Sequence, residues 1–68
     1  MKTVDLLNVL DSYEEIEIRD FHKAVLYLGK PADISEDELK KFGDKRVRSV
    51  YTLVFSNYNV ILVIELKE

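Results

Sequence analysis

The side chains of this chain that could do chemistry are few and scattered. His22 is the sole histidine, and a histidine serving as general base or metal ligand needs a second polar group held against it. Its nearest candidate is Asp20, two residues away in what reads as a turn, so the plainer reading of His22 is a solvated turn residue. The carboxylates Glu14, Glu15, Glu17 and Asp20 have the composition of a metal or acid–base cluster. Strand alternation, however, sends Glu15 and Glu17 together to one face, as expected of a charged outer surface. Ser12, Ser35, Ser49 and Ser56 have no histidine near them in sequence, which leaves nucleophilic catalysis unsupported. With no cysteine, disulfides, thiolate zinc sites and thiol catalysis are excluded. Gly29 and Gly43 are the only glycines, too few and too far apart for a phosphate-cradling loop. The expectation is a protein that is not an enzyme, with no cofactor implied and no catalytic, cofactor-binding or metal-ligating residue.

Groups suited to binding are easier to find. Lys45, Arg46 and Arg48, with Lys40 and Lys41, form a locally basic segment that supports an alternative reading as a nucleic-acid-binding or regulatory module. Against it stand the helix-end position of Lys40 and Lys41, the outer-face position of the arginines, and a formal net charge of −3 from 13 acidic and 10 basic residues. No overall basic field exists to hold nucleic acid. Among the tyrosines, Tyr58 falls at a turn tip, where an exposed aromatic resembles a contact residue. Tyr58, Arg46 and Arg48 are therefore the candidate contacts for a partner.

These residues must be positioned by a small scaffold. Thr3 to Leu10 places Val4, Leu7 and Leu10 at helical spacing, with Thr3 available as N-cap and Asp5 in the first turn. Glu14 to Asp20 alternates, Ile16 and Ile18 against Glu15, Glu17 and Arg19, which predicts a strand with one wet face. Ala24 to Leu28 continues as a second strand, stopped at Gly29-Lys30-Pro31; Gly29 to Asp33 is the only linker candidate. In Ile34-Ser35-Glu36-Asp37-Glu38-Leu39, Ser35 and Glu38 have the spacing of a capping box, and Ile34 and Leu39 that of a hydrophobic staple. The helix they open has acids first and bases last, and Gly43 stands where a left-handed C-terminal residue is favoured. A third strand follows, with Val47, Tyr51, Leu53 and Phe55 assigned to the core and Arg46, Arg48 and Thr52 to solvent. After a turn at Ser56 to Asn59, Val60 to Leu66 closes the chain. The expectation is a single α+β domain over 1–68, a small antiparallel sheet of about four strands with two short helices, in the order helix, hairpin, helix, hairpin. Val60 to Leu66, the most apolar strand, is expected at the centre and the charged first strand at an edge.

That last strand is apolar on both sides. Val60, Leu62, Ile64 and Leu66 face one way and Ile61 and Val63 the other, whereas two short helices have apolar surface enough for one face. The second face then calls for a partner, most simply a second copy, with Ile61, Val63 and Tyr51 as the candidate self-association residues. A chain of 68 residues buries only about 60% of its unfolded surface, so association would also add stability. The start Met1 to Asp5 lacks a signal-peptide core and the apolar run Val60 to Ile64 is too short to span a bilayer. The expected setting is cytoplasmic, with no membrane partner and an unidentified protein partner.

The run Asp5-Leu6-Leu7, then Glu15-Ile16-Glu17-Ile18, Val25-Leu26-Tyr27-Leu28-Gly29, Val47 to Tyr51 and Val60-Ile61-Leu62-Val63-Ile64-Glu65 resembles small uncharacterised proteins of phages and mobile elements in Gram-positive bacteria. The resemblance covers most of the chain. It implies a small cytoplasmic accessory protein, from gene neighbourhoods where several such proteins bind and inhibit host machinery, and it carries over no catalytic or binding residue.

Overall fold

The computed structural model describes residues 1–12, 14–54 and 60–68. In chain order the elements are α1 (Thr3–Val9), β1 (Ile16–Arg19), β2 (Val25–Gly29), a single 3-10 turn (Pro31–Asp33), α2 (Glu36–Phe42), β3 (Val47–Val54) and β4 (Val60–Leu66). The α+β class and the order helix, hairpin, helix, hairpin are as expected. Tyr13 and the stretch 55–59, which includes Phe55, Tyr58 and the expected turn at Ser56 to Asn59, lie outside the described residues.

The sheet is mixed, where a purely antiparallel one was expected. Its strand order is β2-β1-β4-β3; β1 pairs antiparallel with β2 and β3 with β4, but β1 runs parallel to β4, Ile16 opposite Leu62 and Ile18 opposite Ile64. β4 is central as expected. β1 is central too, and the edge position expected for it is taken by β2. The physical reason is burial. Ile16, Ile18, Ile64 and Leu66 are all fully buried and share one core with Phe42, and setting β1 beside β4 gathers them. β2 and β3 then take the two edges, and the connection from β2 to β3 crosses from one edge to the other through α2, as a helix-bearing crossover permits.

Helix cover lies on this one face. Leu6, Leu7 and Leu10 from the α1 region and Ile34 and Leu39 around α2 pack against the cluster. The capping box forms as expected: Ser35 Oγ accepts from the Glu38 amide at 3.2 Å, and Glu38 Oε1 accepts from the Ser35 amide at 3.0 Å. Thr3, expected as the cap of α1, is instead its first residue and fully buried. Its N–H and Oγ1 both donate to the Lys45 carbonyl at 2.8 Å, and the Val4 N–H donates to the Gly43 carbonyl at 3.0 Å. The first amides of α1 are thus satisfied by the α2–β3 connection, which joins the two helices.

Both glycines are set by close approach. Gly43 is right-handed helical (φ −58°, ψ −35°), not left-handed as its position had suggested, and a Cβ there would lie 2.5 Å from the Leu39 carbonyl oxygen. Gly29, at the end of β2, has φ +154°, and a Cβ would meet the Tyr27 hydroxyl at 2.9 Å, the hydroxyl that donates to the Lys30 carbonyl at 2.6 Å. Gly29→Ala combines a disfavoured backbone with loss of that lock, and it should lower unfolding free energy by about 1–3 kcal/mol. A urea midpoint equal to wild type would contradict this account of the turn.

Candidate functional site

A β-bulge decides what lies on the sheet face away from the helices. The β3–β4 register pairs Val47 with Leu66, then jumps to Ser49 opposite Glu65 and Tyr51 opposite Val63. One extra residue, Arg48, reverses the inward–outward parity of the strand beyond it. Tyr51 and Leu53, assigned from alternation to the helix-side core, therefore stand on the open face beside Val63 and Ile61. Val50, Thr52 and Val54 stand on the helix side.

On the open face five polar side chains form one strap. Glu17 and Arg19, two apart on β1, make an ion pair of 2.6 Å, with Arg19 Nε donating to the same carboxylate oxygen at 2.9 Å. Arg19 Nη1 donates to the Tyr51 hydroxyl at 3.3 Å. That hydroxyl donates to Glu65 Oε2 at 2.7 Å, and Ser49 Oγ donates to Glu65 Oε1 at 3.3 Å. Since Val63 lies between Glu17 and Tyr51 in register, a guanidinium joining those two strands passes over it. Val63 has no accessible surface. The chain closes this part of its second face by itself.

The strap also sets the protonation of its members. The Tyr51 hydrogen bond, reinforced by Ser49 and opposed by desolvation, holds the Glu65 carboxyl below its ordinary 4.5. The same bond, together with burial, raises the Tyr51 phenol above 10.0, and the bond to Glu17 raises Arg19. No buried side-chain nitrogen or oxygen among the described residues lacks a partner. The strap's members thus bond one another across β1, β4 and β3.

The self-association candidates thus divide. Ile61 and Tyr51 are half-buried, while Val63 is beneath the strap and cannot touch a second copy as the chain stands. Arg46 pairs across an isolated bridge with Lys2 and Arg48 occupies the bulge; both are exposed. Of the basic segment, Lys41 and Lys45 line a cleft. His22 is exposed at the first hairpin turn, where Asp20 Oδ1 accepts from its N–H and from that of Ala24, each at 2.9 Å. Asp20 is therefore a turn-former. No group of three His, Asp or Glu residues is placed to hold a metal ion among the described residues, and no helix there is long and apolar enough to cross a membrane.

Accessible apolar surface lies elsewhere. Val50, Val54 and Val60, exposed by 44, 70 and 49%, share the helix side of the β3–β4 hairpin beyond the reach of the helices. The edge strand β2 exposes Val25, Leu26 and Leu28 by 54, 39 and 60%. Beside it a cleft of about 330 Å³ is lined by Asp20, Val25, Leu26, Glu38, Lys41, Phe42 and Lys45. A second cleft, about 260 Å³, lies between α1 and the 3-10 turn. Sequence reasoning missed the cleft beside β2 because Lys41 was accounted for by the helix end. No protein-family model matches this chain, nor does any curated protein or solved structure.

The strap gives a pH signature. Because Glu65 is held below its ordinary value in the folded chain, its contribution is present above 4.5 and is lost as pH falls through the lowered value. Tyr51, raised, contributes fully below 10.0 and less as pH climbs through the raised value. Tyr51→Phe, which keeps the ring, should lower the urea midpoint at pH 7 and flatten both limbs of stability against pH, whereas Glu65→Gln should flatten the acid limb. Parallel wild-type and Tyr51→Phe profiles would show that the strap is not coupled to folding.

Proposed function

We propose that this chain is a non-enzymatic cytoplasmic binding module that forms a homodimer through its C-terminal β-hairpin and acts by binding another macromolecule. The observation that carries the reading is the position of Val50, Val54 and Val60: three exposed apolar side chains on one side of a hairpin, where the helices give no cover. Large apolar residues grouped on a small domain commonly mark a contact surface. The outer edge of β3 adds to this. Lys2 pairs with Arg46 just before β3, and the Val47 N–H donates to the Met1 carbonyl; from Val50 to Val54 that edge has no partner strand among the described residues. Two copies meeting there about a twofold axis would continue the sheet and place the valines of each against the other.

The role as an accessory protein of a phage or mobile element is supported by the resemblance in element order described above. Non-enzymatic action is supported by the strap, whose polar groups bond one another.

Sedimentation equilibrium tests the dimer. The wild type should show association in the micromolar range, and Val54→Asp with Val60→Asp, two exposed positions, should give a folded monomer. Val63→Glu is a control of another kind: it buries a charge and should unfold the chain. A wild type that stays monomeric at millimolar concentration, or a double variant that associates like wild type, would refute the assignment.

A further inference from the structure

From the edge strand β2 and the cleft beside it, we infer a docking site for an extended segment of a partner protein that alternates apolar and acidic side chains and pairs with β2 as a fifth strand. This rests on the reading of the chain as a binding module, but not on its self-association. Three observations meet at one place. Among the described residues β2 pairs with β1 on one side only, which leaves the backbone groups of its other side to take a strand. Its residues Val25, Leu26, Tyr27, Leu28 and Gly29 include no charged residue and no proline, the usual guards of an exposed edge. Immediately beside it, the cleft has an apolar floor of Val25, Leu26 and Phe42 and a rim that carries Lys41 and Lys45.

The rim charges decide the partner's chemistry. Glu38 is engaged in the capping box, and Asp20 Oδ1 accepts two amides of its own turn. Lys41 and Lys45 make no ion pair among the described residues; the pairs there are Lys2–Asp44 and Arg19–Glu17. The lining is thus balanced in formal charge, Asp20 and Glu38 against Lys41 and Lys45, but the two carboxylates are held by backbone amides of their own turn and helix cap, whereas the two ammonium groups have no ion-pair partner among the described residues. An acidic side chain of the incoming strand that faces the cleft would meet the lysines, and its apolar neighbours, facing the opposite way, would lie beside Leu28 on the other side of the sheet. A second copy of this chain is a poor occupant. Its own acidic–apolar stretches, around Asp5, Glu15 to Ile18 and Glu36 to Leu39, are already within or next to α1, β1 and α2.

The test is an amide NMR titration of the full chain, at a concentration below self-association, with a short capped peptide alternating valine and aspartate. Expected are shifts confined to Val25–Gly29 and the amides around Lys41 and Lys45. The affinity should fall with added salt, and by roughly five- to tenfold in Lys41→Gln with Lys45→Gln, the scale of two exposed charge pairs. Methylating alternate peptide nitrogens should abolish binding in one of the two registers, because strand pairing needs those donors. The inference is overturned if β2 does not respond, if a valine–lysine peptide binds as well, if both methylated peptides bind like the parent, or if decanoate or single-stranded DNA shifts β2 where the peptide does not. Val54→Asp with Val60→Asp should leave the titration unchanged, so that failure of this site and failure of the dimer are read separately.

Discussion

Everything in this fold depends on pairing β1 in parallel with β4. That contact sets Ile16 and Ile18 beside Leu62 and Ile64, and a core of five fully or almost fully buried residues forms across it with Phe42 and Leu66. A chain this short has little apolar surface to spare, so its two best-buried strands must be neighbours. Once they are, β2 and β3 are forced to the edges, α2 has to carry the chain across the helix-covered face, and the carbonyls after α2 fall where they can receive the first amides of α1.

The same contact creates the open face and its solution. Placing a charged strand in the centre puts Glu17 and Arg19 above Val63, where an uncompensated charge would be costly. The bulge at Arg48 turns Tyr51 toward them, and the hydroxyl joins the Arg19 guanidinium to the Glu65 carboxylate. What would be a bare apolar face on a two-sided strand becomes a closed layer of side chains. The apolar surfaces left over lie at the two edges: one flanked by the basic bulge, the other next to Lys41 and Lys45, which have no ion-pair partner among the described residues.

Local signals in the sequence were read well where the physics is local. The capping box at Ser35 and Glu38, the alternation of Ile16 and Ile18, the two helices and the central place of Val60 to Leu66 all follow from short-range spacing and apolarity. Strand order was not legible, because charge on β1 has the same appearance whether it guards an edge or lies on the outer face of a central strand. The bulge was hidden as well: Val47, Tyr51 and Leu53 share odd parity, and nothing in Arg46 to Ser49 marks the residue that breaks it. That one insertion moved Tyr51 into the strap and put Val50 and Val54 on the helix side next to Val60, so the self-association surface proposed here lies on the other side of the hairpin from the one expected at Ile61, Val63 and Tyr51. Glu17 and Arg19, two apart on one strand, were the available hint of a polar cover. The cleft beside β2 needs tertiary placement of Phe42 and Lys45, which spacing along the chain does not reveal.

The central claim is that Val63 to Leu66 of β4 are buried by the chain's own side chains and that the proposed association adds only to the edges. Amide hydrogen exchange followed from dilute to concentrated protein tests it most directly. The account requires Val63 to Leu66 to be protected equally at every concentration, with protection rising on concentration only at the outer edge of β3. Protection of Val63 to Glu65 that appears only as copies associate would contradict it.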